Sequence, residues 1–80
     1  MTLTPEAENH GRRLAERVID QATRYGLGSE DVAVMISRDI ERHTLAMEAV
    51  GVGAEEIATW ATAVQVACRS RVSEERRAMV

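Results

Sequence analysis

The 80-residue chain contains no phenylalanine and no lysine, and one each of cysteine, proline, tryptophan and tyrosine. A single thiol, Cys68, cannot close an internal disulfide, which excludes a disulfide scaffold and fits a reducing cytoplasm. Two aromatics, Tyr25 and Trp60, are too few and too far apart to stack successive nucleic-acid bases. The ten basic residues are all Arg and face thirteen acids, for a net charge of −3. A general nucleic-acid binder carries the opposite balance, so direct DNA binding is not expected. No run of 18 apolar residues exists to span a bilayer, and Met1–Glu6 lacks the basic-then-apolar layout of a secretion signal. Gly26-Leu27-Gly28 follows a helical stretch rather than a strand, so it is no phosphate-binding loop. His10, His43, Cys68 and the scattered carboxylates show no zinc-type ligand spacing, and no nucleophile has an orienting base. Neither enzymatic activity, metal nor cofactor is therefore expected.

What remains is a folded balance with a thin core. Apolar residues make up 45% of the chain, but 12 are Ala and 9 are Val, against 4 Leu and 4 Ile. A chain this short buries only about 60% of its unfolded surface, so association with another surface contributes much to stability.

Two glycine pairs punctuate the chain, Gly26/Gly28 and Gly51/Gly53, and they sit in a repeat. Leu27-Gly28-Ser29-Glu30-Asp31-Val32-Ala33 aligns with Val52-Gly53-Ala54-Glu55-Glu56-Ile57-Ala58. Gly26 and Gly51 suit the left-handed residue just past a helix end, and Gly28, Gly53 and Thr4 suit N-caps. Leu27 with Val32, and Val52 with Ile57, have staple spacing, and the acids fall where the helix dipole favours them. The pattern predicts an all-α, single-domain, up-down-up three-helix bundle with helices near 5–25, 29–50 and 54–78. A short extra helix could restart at Ser73. The same glycines also have helix-turn-helix spacing, which makes a small DNA-binding regulator the alternative function. Ser29-Glu30-Asp31 and Ala54-Glu55-Glu56 would, however, point acids at phosphate.

The helix faces carry the functional expectations. Helix 3 has an apolar face of Ile57, Trp60, Ala61, Val64, Ala67 and Cys68. Thr59, Ala63 and Val66 widen it to roughly 220° of arc, against the 100° or so that a surface helix needs. Those three residues are predicted to contact a second copy of the chain, making a homodimer. Cys68 itself reads as an inert core thiol. The whole net charge falls on residues 29–52, with 5 acids against 2 Arg, which makes Glu41 and Glu48 candidates for contact with a basic partner. In the core, equal counting from the caps puts Gly11, His43 and Trp60 at one level, with Gly11 making room for the indole and His43 bonded to a carboxylate or carbonyl. The function expected is therefore non-enzymatic binding that occludes a surface on a larger protein partner or nucleic-acid-handling complex. Short acidic helical inhibitors carried by phages and mobile elements are one class of this description.

Overall fold

The computed structural model describes residues 3–78, all helical except for two short turns. Helix α1 spans Leu3–Tyr25, α2 Ser29–Ala49 and α3 Ala54–Ala78, with no strand among the described residues. They form an up-down-up bundle 42 Å long and 21 by 15 Å across.

Both turns are the same device, which explains the sequence repeat. Gly26 and Gly51 have φ of +65° and +89°, the left-handed conformation that glycine adopts without a Cβ clash. The next amide reaches back to the fifth carbonyl before it: Leu27 N–H donates to Ala22 O and Val52 N–H to Met47 O, each 3.0 Å. These bonds satisfy carbonyls that a helix end otherwise leaves orphaned. The following helices start on Gly28 and Gly53, whose carbonyls accept from Val32 and Ile57 N–H. Asp31 accepts from Gly28 N–H at 3.3 Å, a half of the capping box that needs no side chain on the cap.

Helices α1 and α3 form the most extensive pair, and α2 lies against them more sparsely. The core consists of Ala7, Leu14, Ala15 and Val18 from α1; Val32, Ile36 and Ile40 from α2; and Trp60, Val64 and Cys68 from α3. Tyr25 and Val50, at helical spacing from Ala22 and Met47, are 68% and 81% exposed. Each lies in the last turn of its helix or just past it, where the stripe has run beyond the helices that would cover it.

Three expectations change. Helix α1 begins at Leu3, so Thr4 lies inside its first turn rather than capping it, and Pro5 sits in that turn, where a missing N–H costs nothing. No new helix begins at Ser73. Helix α3 runs through it, because no glycine or proline interrupts the backbone and Val72 still packs on the core. The third concerns Gly11, which is buried but does not house the indole. A Cβ placed on it would lie 2.7 Å from Val64 O and 2.8 Å from Ala67 Cβ. Gly11 thus lets the α1 and α3 backbones meet about a turn beyond Trp60. Counting from the caps assumes parallel axes and level ends; the close approach at Gly11 sets the register instead.

Candidate functional site

A polar layer crosses the bundle beside this seam. Its centre is Asp39, a charged residue only 5% exposed. Helix geometry places Asp39 and His43 on one face at i,i+4. His10 comes from α1, where it lies three residues after Ala7 and four before Leu14 and so shares their inward face. His10 Nε2 donates to Asp39 Oδ2 at 2.9 Å. His43 Nδ1 donates to the Asp39 backbone carbonyl at 2.8 Å and lies 3.5 Å from Oδ2. On the other oxygen, Oδ1, Arg42 Nη2 sits at 3.2 Å and Arg17 Nη2 at 4.0 Å.

Three rings close the layer. The imidazole centroids are 4.5 Å apart, edge to face, and the Trp60 indole lies 5.2 Å from His10 and 5.9 Å from His43. The expected level of His43 and Trp60 is therefore present, with His10 rather than Gly11 as the α1 member. Burial by itself raises the pKa of Asp39. The hydrogen bond from His10 and the electrostatic influence of His43, His10 and Arg17 outweigh it, and the carboxyl ends below its ordinary value of 3.8. Cys68 goes the other way: burial, then the Asp39 charge, raises its thiol pKa despite Arg69. A fully buried, protonated thiol is a packing group and not a nucleophile.

The outward faces hold the other candidates. Thr59 and Val66 are exposed and Ala63 is half-buried. Ala58, Thr59, Thr62 and Ala63 line one shallow depression on the outside of α3. The Thr59 hydroxyl donates to Glu55 O at 3.0 Å, so its polar group is satisfied within the helix. Glu41 and Glu48 are both exposed on α2, seven residues apart on one flank. The structure thus brings His10, Asp39, His43 and Trp60 together and leaves the α3 strip and the two glutamates on separate surfaces. No described helix is long and apolar enough to cross a membrane.

No protein-family model matches the chain, and no curated protein or solved structure matches it either.

Proposed function

We propose that the protein is a non-enzymatic helical binding protein, paired with a second copy of itself, that occludes a surface on a larger macromolecular partner. The observation that carries this reading is the outer strip of α3. From Ile57 onward the helix is uncharged as far as Cys68, yet Thr59 and Val66 face solvent, the latter 61% exposed. Continuation of α3 through Ser73 removes the restarted helix that could have folded back over the strip. Small side chains at positions 59, 63 and 66 allow a second helix to approach closely, and an uncharged centre is typical of the buried part of an interface. The acids Glu41 and Glu48, on a different surface, remain free to meet a basic partner. An inhibitor of the kind carried by phages and mobile elements fits this size, charge and helicity.

Light scattering tests the self-pairing. The wild type is expected at twice the 8.8 kDa chain mass, and Ala63→Arg at the single-chain mass with its helix content retained. A wild type that remains monomeric at micromolar concentration overturns the homodimer. A gel shift on random duplex DNA separates the alternative regulator, whose binding would weaken steeply as salt rises.

A further inference from the structure

We propose that His10, Asp39 and His43 form a mononuclear site for a divalent cation of the zinc, cobalt and nickel class, with one coordination position open. Each residue offers one ligand atom, and the three atoms lie within 4.8 Å of one another. A tetrahedral ion with metal–ligand bonds of about 2.0–2.1 Å holds its ligand atoms roughly 3.3–3.4 Å apart. Two separations are already close to that: His10 Nε2 to Asp39 Oδ2 is 2.9 Å and Asp39 Oδ2 to His43 Nδ1 is 3.5 Å. The third separation, between the two histidine nitrogens, is at most 4.8 Å and has to shorten on binding.

The donor chemistry selects the ion. Two imidazole nitrogens and one carboxylate suit borderline cations, whereas calcium and magnesium demand oxygen ligands. Without metal, the proton on His10 Nε2 fills the place between nitrogen and carboxylate. On binding, that proton moves to His10 Nδ1, and the proton that His43 Nδ1 shares with the Asp39 carbonyl moves to His43 Nε2, which leaves both ligating nitrogens with a free lone pair. The supporting groups also fit. Arg42 donates to Oδ1, the oxygen the metal does not need, at 3.2 Å and thereby orients the carboxylate as an outer hydrogen bond does in metal sites, while Arg17 stands 4.0 Å from the same oxygen. Both guanidinium groups are more than half exposed, so water screens their repulsion of the ion. Trp60 walls one side, and His43, 40% exposed, leaves an entry path. The site stands apart from the α3 strip and does not depend on the dimer.

The test titrates the wild-type chain with Co(II), read by its visible spectrum, and with Zn(II), read by calorimetry and melting. His10→Gln and His43→Gln are compared, with Glu16→Gln, at an exposed position of α1, as the control. One-to-one saturation with a tetrahedral Co(II) spectrum is expected. Zn(II) at a hundredfold excess over Kd is expected to raise Tm by roughly 10–20 °C. Each His variant is expected to keep its helical circular dichroism and to lose more affinity than the roughly 10–100-fold that removing an outer hydrogen bond costs. The control is expected to bind as wild type does. Absence of saturable binding, or wild-type affinity in both His variants, overturns the site. Should a His variant lose its helical signal, Co(II)-induced NMR broadening in the wild type decides: centred on His10, Asp39 and His43 it supports the site, and centred elsewhere it overturns it.

Discussion

The two sides of the bundle are built on different chemistry. Helices α1 and α3 meet through small residues: Ala7, Ala15, Val64 and Cys68 are 0% exposed, and at Gly11 there is no room even for a methyl group. Helix α2 reaches the same core through Val32, Ile36 and Ile40, each 6–8% exposed, and through a carboxylate tied to α1 by His10 and Arg17. On the first side, stability comes from dispersion between backbones held close together, which tolerates no added volume. On the second it includes charge and hydrogen bonding, which respond to pH and, through the proposed site, to metal. Solution conditions therefore bear on the contacts that hold α2 more than on the α1–α3 seam.

Trp60 belongs to both sides, so its loss gives the largest effect. Trp60→Ala removes the ring packed beside His10 and His43 and exposes the adjoining core. Destabilisation of about 3–5 kcal/mol is expected in urea denaturation, enough to unfold much of a marginal domain. A loss below about 1 kcal/mol would mean that the polar layer stands without the indole.

Gly11→Ala sharpens the comparison next. Alanine favours helix over glycine by about 1 kcal/mol, yet its Cβ would press against the Val64 carbonyl and Ala67, and overpacking toward the upper end of about 1–3 kcal/mol outweighs that gain, for a net loss of up to about 2 kcal/mol. Backbone atoms cannot rotate away as a flexible side chain could. Hydrogen exchange in this variant is expected to quicken along α1 and α3 as well as α2, whereas in the wild type α2 amides are expected to exchange first. A raised melting temperature would show that the seam is looser than its geometry indicates.

Asp39 probes the other side. Its folded pKa is lowered, so its contribution to stability is fully present above the ordinary carboxylate value of 3.8 and is lost as pH falls through the folded value. Asp39→Ala is expected to cost about 1–2 kcal/mol at neutral pH, as hydrogen bonds to a charged group do, and to flatten the acid limb of the stability curve. Wild type and variant converge at the lowest pH. Parallel acid limbs in the two proteins would exclude this carboxylate as the source of the pH dependence.

These two sides were unequally legible in the sequence. The turns were, because a left-handed glycine followed by an apolar residue and a first-turn acid is a local signal repeated twice. The small-residue seam was visible as a stripe, but its register was not: Gly11 opposes Val64 and Ala67 through a tertiary approach that counting along one helix does not contain. Ligand spacing along the chain does not reveal His10, because its partners lie 29 and 33 residues away on another helix. Its position between Ala7 and Leu14 on the inward face was the signal that placed it in the core. Asp39, counted with the acids of α2, is buried and engaged, so the outward charge of that helix rests on its exposed acids.

The smallest effect is expected where neither side is touched. Glu41 and Glu48 are exposed, and neither takes part in a side-chain ion pair among the described residues. Glu41→Arg with Glu48→Arg is expected to change stability by less than about 0.5 kcal/mol, as exposed surface substitutions do. It is also expected to leave the oligomeric mass unchanged, because self-pairing is proposed through α3. What it is expected to alter is the association rate with a basic partner and the salt dependence of that rate, since rim charges act mainly on encounter. A change in oligomeric mass would move the self-pairing surface to α2 and dissolve the separation between the two faces. An unchanged rate with a partner in hand would remove these two acids from recognition while leaving the α3 strip as the surface that binds.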